Sequence, residues 1–290
     1  MKLSVETYVL REIYDDKEAI EMIKETGYDC YDYSMFWAKG EKNMLDDDWR
    51  EKAHKLREYS DKIGIICNQA HAPFDIQYTD AFSETNANYE ELVRSMEVAA
   101  LLGAKTIIVH AIKKNLPKEV NFYELNRKFY KSLLPYCQKF NICVSVENLF
   151  NIINDRTVPV LSDPEEHMNF VESLKSDYIN ICVDVGHSAI TGQRPENVIT
   201  SMNKRYLKAL HIHDNDFISD RHILPYTGKI DWESVCEALA QIGYEGDLTF
   251  EIFGFLKKLP QNLIFDGLVY AEKVGRELIR KVEGVENSVL

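Results

Sequence analysis

The sequence predicts one α/β domain, a single (β/α)8 barrel spanning residues 1–290, and three observations carry that prediction. Short runs rich in β-branched residues alternate with longer amphipathic runs, which implies a parallel sheet with helical crossovers. The pattern repeats eight times, about 25 to 40 residues apart, and eight units in a chain of this length are a barrel. No Pro/Gly/Ser linker or low-complexity run divides the chain. An open doubly wound sheet would usually carry a glycine-rich phosphate loop after its first strand, and YVLREIYDD has none.

The candidate strands, in order, are LSVETYV (3–9), YDCYDYS (28–34), IGIICNQ (63–69), KTIIVHA (105–111), ICVSVEN (142–148), YINICVD (178–184), LKALHIH (207–213) and DLTFEIF (247–253). Helical patterns lie between them: DDWREKAHKLREYSDKI, NYEELVRSMEVAALLGA, FYELNRKFYKSLLPYCQKF and WESVCEALAQIG. A last one, NLIFDGLVYAEKVGRELIRKV, follows the eighth strand. Gly27, Gly64, Gly103 and Gly243 fall where helices should stop. The loops after the second and fifth strands, MFWAKGEKNMLDDDW and LFNIINDRTVPVLSDPEE, are the long ones.

Composition narrows the function. A 45% hydrophobic content is enough for a sizeable core, and the formal net charge is -13. Nucleic-acid binders present a basic patch or stripe. The densest cationic run here, Lys113-Lys114 with Lys118, is short, has acidic neighbours and reads as solvated surface. No nucleic-acid partner is therefore expected. The cysteines Cys30, Cys67, Cys137, Cys143, Cys182 and Cys236 form no CxxC pair and read as reduced thiols of a cytoplasmic protein. The N-terminus lacks a signal-peptide pattern, and no run approaches the ~18 apolar residues of a membrane span, so no membrane partner is expected. Nothing in the sequence specifies an oligomeric state.

The polar residues near the strand ends share one parity. Alternate residues of a strand face the same way. The third strand and its exit give Gln69 and His71, and the fourth ends in His110. The fifth gives Ser145 and Glu147, the sixth Cys182 and Asp184, the seventh Ala209, His211 and His213, the eighth Thr249 and Glu251. Six successive strands thus finish in a His, Asp or Glu at the C-terminal mouth, where barrel enzymes keep their active sites. Carboxylates aimed into one small space repel each other and lose hydration. A divalent cation resolves that, and imidazole with carboxylate is a ligand set for Zn²⁺, Mn²⁺ or Fe²⁺. Phe36 and Trp37, at the exit of the second strand, are candidates for an apolar wall over a substrate.

These residues carry a resemblance. SVEN, DVGH, HIHD and FE, ending the fifth to eighth strands, together with HAPF at 71–74, resemble the xylose-isomerase-like barrel superfamily, within it the sugar phosphate isomerase/epimerase and endonuclease-IV-type group. The resemblance implies one divalent metal held by Glu147, Asp184, His211 and Glu251. Mn²⁺ and Zn²⁺ come first, with Mg²⁺, Fe²⁺ and Co²⁺ also admitted. It implies a small sugar or sugar-like substrate, with Glu147 and Glu251 as the acid/base pair moving a proton next to a carbonyl through an enediolate. His187 would touch the substrate. His211, three residues before Asp214, matches the ligand; His213 shares its parity and would lie behind it or at the substrate.

The resemblance also implies a rival. Endonuclease-IV-type barrels hold three zinc ions and cleave abasic DNA, and the further ligand positions of that site match His71, His110, His187, Asp220 and His222. The acidic charge and the scarcity of cations in the strand-to-helix loops argue for sugar chemistry instead. The sequence departs from the ketose epimerases at Phe217, where they carry Arg, and at Ile153, where they carry a second Glu. A keto-inositol isomerase or dehydratase, or action on another keto-sugar, stays open, as does a non-catalytic sugar or metal binder.

Overall fold

The computed structural model describes residues 1–36, 44–74, 82, 87–114 and 116–289. Its elements in order are β1 (Leu3–Glu6), α1 (Tyr8–Ile13), α2 (Asp16–Glu25), β2 (Cys30–Ser34), α3 (Trp49–Ile63), β3 (Ile66–His71), α4 (Ala87–Leu102), β4 (Thr106–Val109), α5 (Phe122–Phe140), β5 (Cys143–Glu147), β6 (Leu149–Ile153) and β7 (Arg156–Val160). Then come α6 (Pro164–Ser173), β8 (Ile179–Asp184), α7 (Val185–Ile190), α8 (Pro195–Ser201), β9 (Leu207–His211), α9 (Trp232–Gln241), β10 (Leu248–Phe250), α10 (Phe253–Leu256) and α11 (Ile264–Val289).

Eight strands form one parallel sheet in the order β10-β1-β2-β3-β4-β5-β8-β9. A parallel bridge between Ile212 and Phe250 joins the two ends, with Ile212 N donating to Thr249 O at 2.9 Å and Glu251 N to Ile212 O at 3.1 Å. The sheet is therefore a closed (β/α)8 barrel, and every candidate strand of the sequence is present. Leu3, Val5, Ala70, Val144, Val146, Ile181, Val183 and Leu210 face outward and join the main core against the helices. Burial of each large aliphatic there contributes about 1.5–3 kcal/mol. Ile108, Cys182 and Ala209 form a separate small cluster, the apolar layer inside the barrel. Below it, Thr106 and Ser145 share a hydrogen bond at 2.8 Å, and Ser4 Oγ donates to Asn68 Oδ1 at 2.8 Å.

Helix boundaries follow local chemistry. Asp15 and Glu18 make a reciprocal capping box on α2, and Asp163 and Asp231 cap α6 and α9. Gly64 ends α3 at φ 73°, in the left-handed region that favours glycine. Two expectations change. The first strand stops at Glu6, not at residue 9. Val9 and Leu10 are buried from the short helix α1 instead, and periodicity cannot separate helix from strand in so short a run. The segment after β5 is not a plain loop. Leu149–Ile153 and Arg156–Val160 pair as an antiparallel hairpin, turned at Asn154 and Asp155, both with positive φ. That is the backbone of a tight two-residue hairpin turn. Among the described residues, no helix is long and apolar enough to cross a membrane.

Candidate active site

The inward parity brings the strand ends together at the C-terminal mouth. Glu147 ends β5, Asp184 ends β8, His211 ends β9 and Glu251 follows β10; all four are buried. Their ligand atoms lie within 4.8 Å of one another. His211 Nδ1 stands 2.9 Å from Glu147 Oε1, 3.5 Å from Glu251 Oε2 and 3.9 Å from Asp184 Oδ2. Two further groups have the same spacing: His71, His110 and Glu147, and His187, His213, Asp220 and His222. Glu147 belongs to two groups, with Oε2 at 2.7 Å from His110 Nε2 and 3.6 Å from His71 Nε2. Of the residues predicted from sequence, all but the two aromatics thus fall into these groups.

The ring orientations fit metal binding. His71 Nδ1 lies 2.7 Å from Ala72 O, His187 Nδ1 2.9 Å from Asn148 O and His222 Nδ1 2.9 Å from Glu251 O. A carbonyl only accepts, so Nδ1 carries the proton in each ring. In each ring Nε2 is the nitrogen turned toward the groups, the arrangement metal-binding histidines adopt. Around His211 the order is reversed. Its Nε2 has no hydrogen-bond partner and faces Asp32 Oδ2 at 3.7 Å, which leaves Nδ1 for the carboxylates. Among the described residues, no Lys or Arg stands within ion-pair distance of Glu147, Asp184 or Glu251. Buried carboxylates without cations are costly, so the donor set fits a divalent ion.

Asp184 has two tasks. Its Oδ1 caps α7 by accepting from His187 N at 2.6 Å, and both its oxygens lie within 3.1 Å of His213 Nε2. Asn148 holds the Asp184 backbone on both sides, accepting from its N–H at 2.7 Å and donating to its carbonyl at 2.9 Å. Gly186 leaves room for the His213 ring: a Cβ there would sit 1.9 Å from His213 Cε1. His213 stacks on His222 at 3.8 Å between ring centres, and His222 on Phe253 at 3.9 Å.

Electrostatics separate the two glutamates. Burial alone would raise both carboxyls. His211, with His110, outweighs burial at Glu147 and holds it well below the usual range, whereas burial dominates at Glu251 and pushes it well above. Burial takes the His110 imidazole down to about 4, so it is neutral. Burial also opposes charge on His187, but Asp184 and Asp220 outweigh it and bring His187 up to about 10.

Some functional positions escaped the sequence reading. Glu6, the last residue of β1, and Asp32, in the middle of β2, are both buried and in register with each other. Asp32 Oδ2 accepts from Gln69 Nε2 at 2.8 Å, while Asp32 Oδ1 and Glu6 Oε1 have no partner. Burial, then Glu251, brings Glu6 up to about 8. The strand-end parity rule, extended to the first two strands, finds both.

A cavity of about 220 Å³ opens above the groups, and its apolar wall is Phe74, Phe150 and Phe253. Phe36 is buried and stacks on Phe74, 4.1 Å between ring centres. It backs the wall without lining the cavity. Trp37 lies outside the described residues. Lys113 and Lys114, read from sequence as solvated surface, line the cavity. The sequence hides this because the hairpin that folds against Lys113 lies a whole helix further along the chain.

Comparisons with known proteins bear on this geometry. The profile of the xylose isomerase-like TIM barrel family matches residues 20–267. An uncharacterized protein of Sinorhizobium fredii is 25% identical over 58% of this chain and 53% of its own length. Another, of Methanocaldococcus jannaschii, is 25% identical over 72% of this chain and 80% of its own. The chain thus spans about half the length of the first relative. Among solved structures, a D-tagatose 3-epimerase-like protein superposes with TM-score 0.77 at 20% identity, covering 98% of this chain and 99% of that one. An IOLI protein with a bound zinc atom gives 0.74 at 18%, covering 97% and 99%. The 3-keto-D-glucoside 4-epimerase of E. coli gives 0.70 at 17%, covering 94% and 99%. At these identities the likeness carries the fold.

Proposed function

The chain belongs to the xylose isomerase-like TIM barrel family, and we propose that it is a divalent-metal-dependent isomerase or epimerase of a keto-sugar. The observation that carries this reading is the convergence of Glu147, Asp184, His211 and Glu251 at the barrel mouth. An ion such as Mn²⁺ or Zn²⁺ held there supplies carbonyl polarisation and charge compensation for an enediolate. The chain's own residues do the rest. Glu147 and Glu251 enter from β5 and from the end of β10, and place two carboxylates about one substrate carbon. One takes the proton from the carbon next to the carbonyl and the other returns it. His187 turns its Nε2 to the cavity because Asn148 O holds its Nδ1–H, and it hydrogen-bonds a substrate oxygen. Phe74, Phe150 and Phe253 cover the C–H face of the sugar and exclude water. Solved neighbours whose names are sugar epimerases support the same chemistry.

The test is carbon-bound hydrogen exchange in D₂O with metal-loaded protein and a panel of keto-sugars and inososes. Exchange on one of them, lost in Glu147→Gln and in Glu251→Gln, is expected. No exchange on any of them by the metal-replete protein would overturn the reading.

One observation favours a second reading. The three groups, two of which share Glu147, together collect every residue that matched the nuclease-type site. Three zinc ions per chain with cleavage of abasic DNA at low salt would establish phosphodiester hydrolysis. The net charge of -13 opposes it, since a duplex binder must neutralise several phosphates.

A further inference from the structure

Lys113 follows β4 and enters the cavity beside Phe150 of the β6–β7 hairpin. The hairpin holds it twice. Asn151 Nδ2 donates to its carbonyl at 3.2 Å, and its ammonium donates to Phe150 O and sits 5.5 Å from the centre of the Phe150 ring. The side chain is half-buried. Among the described residues, no carboxylate lies within ion-pair distance of it: the nearby acids Glu147 and Asp220 are instead engaged by His110, His211, His187 and His222. An ammonium has three donors, and the protein takes one. Lys113 lines the space a substrate enters, and Lys114 lines the same space. Burial brings Lys113 down to about 8, the cost of leaving a half-buried cation without an anion.

We propose that Lys113 binds an anionic group of the substrate, so that this enzyme's keto-sugar carries a phosphate or a carboxylate. The inference rests on the keto-sugar reading for the identity of the rest of the substrate. The ring wall of Phe74, Phe150 and Phe253 takes the carbon skeleton, the acidic ligand groups take the carbonyl end with its metal, and Lys113 takes the charged tail. A neutral sugar would leave the ammonium with a single carbonyl partner.

The test uses three probes that share a ketol core: dihydroxyacetone, dihydroxyacetone phosphate and hydroxypyruvate. Binding to metal-loaded wild type and Lys113→Gln is measured by calorimetry, with exchange in D₂O followed in parallel. A charge-assisted hydrogen bond predicts that wild type binds one charged probe about tenfold or more tighter than the neutral one. Lys113→Gln should remove that preference while leaving dihydroxyacetone binding within about twofold, a change too small to be a lost charged contact. Which charged probe is preferred separates phosphate from carboxylate. A wild type without preference, including one that binds none of the three, overturns the proposal. So does a variant that weakens all three equally, which is what a merely structural lysine would do. Preference lost in the variant but no hydrogen exchange would retain the anion site and overturn the isomerase reading instead.

Discussion

Asp214 allows the sharpest quantitative prediction. It is fully buried and holds no candidate metal, yet four N–H groups converge on its carboxylate. Oδ1 accepts from Asn215 N at 2.8 Å and Ile230 N at 3.1 Å; Oδ2 accepts from Gly228 N at 3.0 Å and Trp232 Nε1 at 2.9 Å. These bonds tie both ends of the segment that carries Asp220 and His222 to the start of α9. Asp214→Asn keeps the shape but turns an amide toward two of the donors. Two hydrogen bonds to a charged acceptor are lost at about 1.5–3 kcal/mol each, so the cost is about 3–6 kcal/mol. At about 2.1 cal/mol/K per residue, unfolding 290 residues carries an entropy near 0.6 kcal/mol/K, which converts the loss into a Tm drop of about 5–10 °C. Calorimetry on metal-free protein, where ligand linkage cannot mask the effect, reads it directly. A Tm within about 2 °C of wild type would refute the claim that this carboxylate fixes the loop.

Three further outcomes follow from the same contacts. Gly186→Ala drives a methyl group into the His213 ring, so metal affinity should fall tenfold or more by titration, with far-ultraviolet circular dichroism unchanged. Metal at a hundred times its Kd should add about 2.7 kcal/mol of stability to wild type, and Asp184→Ala or His211→Ala should abolish that gain; wild-type binding by both would move the site elsewhere. His167 is buried behind β5 with Nε2 at 3.1 Å from Val146 O, and burial brings it down to about 4, below its ordinary 6.5. The unfolded chain therefore binds the extra proton first. Stability is retained above pH 6.5 and lost as pH falls toward 4, by about 3 kcal/mol for this group. Urea midpoints at neutral pH and at the acid end of that window should show the loss in wild type and a smaller one in His167→Gln.

Strand-end parity was legible in the sequence because a barrel strand has only two faces. Val144 and Val146 face the helices, so Ser145 and Glu147 face the interior, and the same reasoning placed Asp184, His211 and Glu251. What stayed hidden depends on contacts between distant segments. Lys113 reads as one of a pair of surface lysines until Phe150 and Asn151 of the hairpin close over it. The hairpin itself had a local sign, Asn154-Asp155 between two β-branched runs, that the long polar loop masked. Phe36 reads as wall because it follows a strand, but the wall is set by which ring stands in front, and Phe74 does.

The two carboxylates missed at β1 and β2 change how the site is understood. Glu6 and Asp32 add two buried acids to Glu147, Asp184 and Glu251, and among the described residues each leaves one oxygen without a hydrogen bond. Asp32 faces His211 Nε2, so it steers Nδ1 toward the acids that would share a metal. A ligand histidine oriented by a carboxylate on its other nitrogen is a stronger base, and removal of that carboxylate weakens binding without removing a ligand. Asp32 lies 3.7 Å from His211 Nε2, and Glu6, brought up to about 8, stays protonated beside Glu251 and adds no further negative charge there. Among the described residues, the acids gathered at the mouth face a cavity that Lys113 and Lys114 also line.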